Sequence, residues 1–203
     1  MKPLILFAHG AGAGHQHPWM QRWHLMLGDI GDIRCITYPY IKRGAKLPDK
    51  MPVLEAAHLE AATQLSAANP NRPLLLVGKS MGARVSVHIA DEARATAVIA
   101  FGYPLVSSGR KKTLRDQALR DTRTPTLLVQ GSRDKMTDLD LFLELVSEHP
   151  TKALRLRMVN DGDHSLECRK LPLRREGRTQ DDVDAEILFD TQRFVRQMLS
   201  PSE

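Results

Sequence analysis

The stretch Leu74-Leu75-Leu76-Val77-Gly78-Lys79-Ser80-Met81-Gly82 constrains this chain more than any other. Four apolar residues suited to a buried strand break off into a serine with a glycine two residues to either side. Met81, Val85, His88, Ile89 and Glu92 then recur at helical spacing. The backbone must therefore turn sharply from strand to helix at Ser80. A Cβ at positions 78 and 82 would crowd so tight a turn, and the serine hydroxyl is pushed into the open. By average usage G-x-S-x-G arises by chance in on the order of one such chain in twenty, so the motif draws its weight from its strand and helix setting.

The rest of the chain repeats this alternation. Short, mostly apolar runs at Leu4–Ala8, Ile33–Tyr38, Leu74–Val77, Ala97–Phe101, Thr126–Gln130 and Leu154–Val159 have the composition of strands buried on both faces. Helical patterns lie between them. The clearest aligns Leu54, Ala57, Ala61, Leu65 and Ala68, with Pro52 near its start and Asn69-Pro70-Asn71 at its end, and sets His58 on the flank of the stripe. Another, Val183, Ile187, Thr191, Phe194, Val195 and Met198, lies near the C-terminus. This spacing predicts an open, doubly wound α/β fold of about six mostly parallel strands, with function at their carboxyl ends. His88 falls on the inward pattern of the helix after Ser80 and is expected in the core.

At 203 residues, 42% of them hydrophobic, the chain can bury one sizeable core, and a single domain over 1–203 is expected. Its two cysteines, Cys35 and Cys168, are far apart and in no metal-ligand spacing, which fits free thiols in a reducing compartment. The opening MKPLILFAHGAGAG runs straight into a glycine turn and reads as a first strand, not a targeting segment. No apolar stretch approaches the ~20 residues of a membrane-spanning helix, so no membrane partner is expected and the location reads as cytoplasmic. The net charge of +5 raises nucleic acid as a partner. The basic clusters are Arg110-Lys111-Lys112 with Arg115, and Arg169-Lys170 with Arg174, Arg175 and Arg178. They carry no interleaved aromatics and match no recognition motif, so they read as solvated loops and no nucleic-acid partner is expected.

A serine hydroxyl is a poor nucleophile at neutral pH. It needs a base to take its proton, and that base needs an acid to fix its tautomer. After a strand-to-helix turn of this kind the partners follow along the chain as an acid and then a histidine. PTLLVQGSRDKM is a strand and turn carrying Asp134, and LRLRMVNDGDHSL is the next strand and turn, carrying His164. Ser80, Asp134 and His164 thus fall in the required order, each just beyond the carboxyl end of a separate strand. Asp134 could instead cap the helix that follows, and Asp161 or Asp163 could orient the histidine in its place.

Negative charge developing on a substrate oxygen calls for preorganised donors, each typically worth about 3–4 kcal/mol. The N–H of Met81 is one candidate. The loop after the first strand, His9-Gly10-Ala11-Gly12-Ala13-Gly14, supplies the second, with Ala11 the choice and Gly10 or Gly12 the alternatives. The loop is no dinucleotide fingerprint, because its glycines have the wrong spacing and TYPY, not an acidic residue, ends the second strand. His15 and His17 have a spacing that could ligate a metal, but no third ligand stands nearby, so no metal and no cofactor are expected.

HGAGAG at 9–14, YPY at 38–40, GKSMGAR at 78–84, GYPL at 102–105, VQGSRD at 129–134 and DGDHSL at 161–166 resemble the small bacterial α/β-hydrolases related to the testis-expressed hydrolase-like proteins and, more distantly, the dienelactone hydrolases. The resemblance spans nearly the whole chain. It implies an α/β-hydrolase fold reduced to a minimal three-layer sandwich, with the motif serine, aspartate and histidine falling on Ser80, Asp134 and His164. Dienelactone hydrolases carry a cysteine where this chain has Ser80, so their lactone substrate is not transferred. A further glycine that relatives often carry is here Ala83.

At this length no cap domain is expected. Any acyl pocket is expected among Ile41–Pro52, Leu105–Arg123 and Glu167–Asp181, shallow, exposed and better suited to small or polar esters than to long lipids. The expectation is a serine hydrolase acting on a small-molecule ester through an acyl-enzyme, with Ser80 as nucleophile, His164 as base and then acid, and Asp134 holding the imidazole. A non-catalytic interaction module on the same frame is the alternative.

Overall fold

The structure, a computed structural model, describes residues 2–12, 14–107 and 111–200. Six strands form one sheet: β1 (Leu4–Ala8), β2 (Asp32–Ile36), β3 (Leu74–Lys79), β4 (Ala97–Phe101), β5 (Thr126–Gly131) and β6 (Leu154–Val159). Their order is β2-β1-β3-β4-β5-β6 and every pairing is parallel. The chain winds from β1 outward to β2, then crosses back to β3 and winds the other way. The reversal lies between β1 and β3, where Ala8 stands opposite Gly78. A crevice opens at the carboxyl ends of strands on either side of such a reversal, and this one carries the site.

Around the sheet lie α1 (Pro18–Leu27), α2 (Pro39–Lys42), α3 (Met51–Ala67), α4 (Met81–Ile89), α5 (Gln117–Asp121), α6 (Leu139–Glu148), α7 (Lys170–Arg175) and α8 (Gln180–Leu199). The two-residue side-chain period of a strand sorts the apolar runs into two cores. Leu4, Leu6, Leu74, Leu76, Val98 and Leu128 face α3, α4 and α6. Ile5, Phe7, Leu75, Val77, Ile99 and Val129 face the other way, against Trp19, Trp23 and Leu27 of α1 and Ile187, Phe194 and Val195 of α8. That helix opens on a capping box, in which Thr179 and Asp182 satisfy each other's backbone N–H groups. This is the three-layer α/β-hydrolase architecture, and among the described residues no cap covers the carboxyl edge of the sheet.

Several details depart from the sequence reading. β2 pairs over Asp32–Ile36 and leaves the sheet before Tyr38, because Pro39 sits at the first position of α2 and ends the ladder. β3 runs two residues past its apolar stretch, since Gly78 and Lys79 pair with Ala100 and Phe101 of β4. The buried stripe of α3 is Leu54, His58, Ala62 and Leu65, so Ala57, Ala61 and Ala68 flank it and His58 lies at its centre, fully buried. The ring is admitted there because its Nδ1 and the Tyr38 hydroxyl lie 3.0 Å apart in a hydrogen bond. His88 is not a core residue: it is exposed on α4 and its Nδ1 lies 2.8 Å from the Glu55 carboxylate of α3. Ala13, Arg110 of the first basic cluster, and residues 108–109 of the segment Leu105–Arg123 lie outside the described residues.

Candidate active site

Ser80 caps α4 with φ 53° and ψ −113°, a conformation that costs a residue with a side chain roughly 1–3 kcal/mol. Its N–H is anchored to the Phe101 carbonyl at 2.9 Å. The flanking glycines permit the close packing around it. A Cβ on Gly78 would stand 2.4 Å from the Ala83 nitrogen, and one on Gly82 would stand 2.5 Å from the Ala8 carbonyl oxygen. The first turn of α4 therefore rests directly on the ends of β1 and β3. That contact holds the strained serine in place.

The hydroxyl meets the histidine expected from the sequence. His164 Nε2 lies 2.8 Å from Ser80 Oγ, and His164 Nδ1 lies 2.7 Å from Asp134 Oδ2. Asp134 has a fully buried side chain, and its carboxylate also accepts from Gln130 Nε2 at 2.5 Å and from the Met136 N–H at 2.8 Å. Burial works to raise its pKa. The hydrogen bond and charge of His164, with those two further donors, outweigh burial and hold the carboxyl below its ordinary value. An ionised carboxylate only accepts, so the imidazole carries its proton on Nδ1 and offers Nε2 as acceptor to the serine.

The alternative acids are engaged elsewhere. Asp161 pairs with Arg133 at 3.0 Å and with Arg169 at 2.6 Å. Asp163 Oδ1 accepts from the Ser165 and Glu167 N–H groups at 2.7 and 3.0 Å, which shapes the turn that presents His164.

The glycine loop after β1 is fixed by a residue to which the sequence reading gave no role of its own. His9 is fully buried, and burial holds its pKa down, against the hydrogen bond to the Gly10 carbonyl. Its Nε2 accepts from the Tyr38 N–H at 3.4 Å, so Nδ1 bears the proton and donates to that carbonyl at 2.8 Å. In a trans peptide the carbonyl and the following N–H point in opposite directions. By holding the Gly10 oxygen, His9 aims the N–H of Ala11 the other way. Gly10 and Ala11 both line the cavity over Ser80. Met81 opens α4, where its N–H has no intrahelical acceptor.

That cavity measures about 210 Å³, and Gly10, Ala11, His17, Trp19, Ser80 and His164 are among its walls. The walls come from the glycine loop, the start of α1, the end of β3 and the His164 turn. Among the described residues none comes from Ile41–Pro52, Leu105–Arg123 or Glu167–Asp181, so the pocket expectation is corrected. α1, which the sequence reading did not identify, begins at Pro18 with His17 as its cap and brings Trp19 to the opening. The indole N–H donates to the Ser165 carbonyl at 2.8 Å.

Lys79 is the other residue that sequence reasoning missed. Though only 8% exposed, it keeps its ammonium 5.2 Å from the Trp19 ring centre and donates to the His164 carbonyl. Burial pulls its pKa down to about 8, against the attraction of Asp134, Asp163 and Glu167. A lysine closing an otherwise apolar strand was the signal available in the sequence. His15 and His17 do not converge on a third ligand: His15 pairs with Thr37 at 3.0 Å and His17 caps α1. Among the described residues no three metal-ligating side chains gather, and no helix is long and apolar enough to cross a membrane.

The same architecture recurs in solved proteins. A serine hydrolase without a lid from Xanthomonas campestris superposes with a TM-score of 0.70 at 17% identity, covering 100% of this chain and 85% of that one. Est1E from Butyrivibrio proteoclasticus, solved with ferulic acid bound, gives 0.66 at 13% identity over 98% and 90% of the two chains. Dienelactone hydrolase from Anabaena variabilis gives 0.61 at 20% identity over 82% and 78%. At these identities the likeness is one of fold. A family model for the alpha/beta hydrolase domain matches residues 1–196, and the chain accordingly belongs to the alpha/beta hydrolase family.

Proposed function

We propose that this hydrolase is a single-domain serine carboxylesterase acting on small or polar esters, in keeping with its resemblance to the small bacterial members related to the testis-expressed proteins. The observation that carries the reading is the unbroken chain from Ser80 through His164 to Asp134, with links of 2.8 and 2.7 Å, at the wall of an open cavity. Ser80 Oγ attacks the ester carbonyl carbon as His164 Nε2 takes its proton. The oxyanion of the tetrahedral intermediate rests on the N–H groups of Ala11 and Met81. Asp134 steadies the imidazolium, which then protonates the departing alcohol and leaves an acyl-Ser80. Water, deprotonated by the same imidazole, attacks the acyl carbon in turn and releases the acid.

The cavity of about 210 Å³ is below the ~300 Å³ at which pockets for drug-sized ligands begin, which favours short acyl groups. The test is hydrolysis of p-nitrophenyl esters from acetyl to octanoyl by the protein and by Ser80→Ala, with a fluorophosphonate probe for covalent labelling. Activity on the short esters that falls to background in the variant, with label on Ser80, supports the reading. The absence of both hydrolysis and labelling would overturn it in favour of an interaction module.

A further inference from the structure

A second cavity, of about 440 Å³, opens between α4, α5 and the segment leading into α5, and it shares no residue with the one at Ser80. Two arginines wall it. Arg84 lies one turn beyond Ser80 on α4, and Arg115 comes from the segment before α5. The two guanidiniums are close enough that burial and the charge of Arg84 together pull the pKa of Arg115 below its ordinary value. Tyr103, whose hydroxyl donates to the Arg115 carbonyl at 2.9 Å, packs beside both. Burial pushes its pKa up to about 12 against the two neighbouring arginines.

Neither cation is neutralised. Among the described residues no carboxylate lies within ion-pair distance of Arg84 or Arg115. Asp116 stands on the cavity wall but is paired with Arg120 at 2.6 Å, and Glu55 is paired with His88 of the same wall at 2.8 Å. The Nε of Arg84 is buried without a hydrogen-bond partner. A buried donor is costly to leave unpaired, and two adjacent like charges add to that cost. An anion seated between the two guanidiniums relieves the repulsion between them.

We propose that this cavity binds a small molecule through a phosphate monoester group gripped by Arg84 and Arg115. Two positive charges match a dianion, whereas a single carboxylate would leave one unbalanced, and guanidinium forks fit phosphate oxygens in pairs. Thr113 on the same wall offers a hydroxyl to the rest of the ligand, while Ser107 is held by Lys111 and Thr113 and the Gln117 amide donates to Asp121. Phosphate has three equivalent acceptor faces, so both forks engage it at once. The site holds whether or not Ser80 is a nucleophile.

The test is calorimetric titration of the full chain at low salt with inorganic phosphate and, separately, with succinate. Phosphate is expected to bind with millimolar or tighter affinity and to weaken at least about tenfold in Arg115→Gln and in Arg84→Gln, while Ser80→Ala binds it as the parent does. Arg115→Lys, which keeps the charge but loses the fork, should fall between. Circular dichroism and melting temperature confirm that the variants fold. Because the Arg84 Nε is buried, the half-buried Arg115 carries the decision if Arg84→Gln is unstable. Absence of phosphate binding, binding unchanged in a folded Arg115→Gln, or succinate bound as tightly as phosphate overturns the proposal.

Discussion

Lys79 Nζ donates to the backbone carbonyl of His164, tying the last residue of β3 to the turn after β6. Gly102 packs beside the same carbonyl, since a Cβ there would stand 2.5 Å from that oxygen and 3.3 Å from Lys79 Nζ. The buried ammonium thus holds the histidine backbone at one carbonyl, in a space that only a glycine at 102 leaves open. Lys79→Met removes that hold and leaves every member of the proposed triad in place. We expect kcat to fall by about tenfold to a hundredfold with KM within about twofold, because a small misplacement of the base penalises the reaction more than binding. A rise in KM at constant kcat would assign Lys79 to substrate recognition instead.

Asp134→Asn keeps the shape of the site but lets Nδ1 face an amide that can donate to it, favouring the wrong imidazole tautomer. The loss in kcat should be on the order of 10²–10⁴, larger than that of Lys79→Met, with folding preserved. Steady-state kinetics on the best p-nitrophenyl ester gives the number. A loss below about tenfold would mean that another acid orients His164.

Ser80→Gly separates function from stability. The variant cannot form an acyl-enzyme, yet glycine adopts φ 53° without strain. Relief of roughly 1–3 kcal/mol, less about 0.4–1 kcal/mol for the freer unfolded chain, should raise the melting temperature by a few degrees. Differential scanning calorimetry against the parent reads the shift, and a lower melting point would show that the turn is not strained.

The buried histidines predict an acid limb of stability. Burial and the charge of His9 bring the pKa of His58 from 6.5 to about 3. The folded state keeps the ring neutral where the unfolded chain takes up a proton, so stability is full above about 6.5 and is lost as pH falls toward about 3. Each such group contributes a slope of up to about 1.4 kcal/mol per pH unit. In His58→Gln the side-chain amide oxygen can still accept from Tyr38, and nothing titrates there. Urea melts at several pH values between 6 and 4 should show a shallower slope for that variant than for the parent.

The sheet and the serine, histidine and aspartate were legible because each is written in local chemistry. Apolar runs of strand length reported the sheet, and the glycines at 78 and 82 reported a turn that a Cβ would block. The supporting residues were not legible, because their roles depend on long-range packing. Lys79 reads as an ordinary polar residue until β6 brings the His164 carbonyl to it, 85 residues away. His58 hid behind a stripe of alanines, since helical spacing alone cannot say which of two adjacent rows turns inward. The pocket walls failed for the same reason: α1 is held over the site by Trp19 bonding to Ser165, 146 residues distant.

The site residues come from the ends of four strands, His9 after β1, Ser80 after β3, Asp134 after β5 and His164 after β6, so no single strand and its following turn contains more than one of them. A polypeptide emerging from the ribosome carries Ser80 long before it carries the imidazole. On the proposed mechanism the hydroxyl has no base until β6 has left the exit tunnel and docked on β5. On that reading, reactivity toward a serine-directed probe would report completion of the sheet, and a stalled or truncated chain lacking β6 would carry Ser80 without its base.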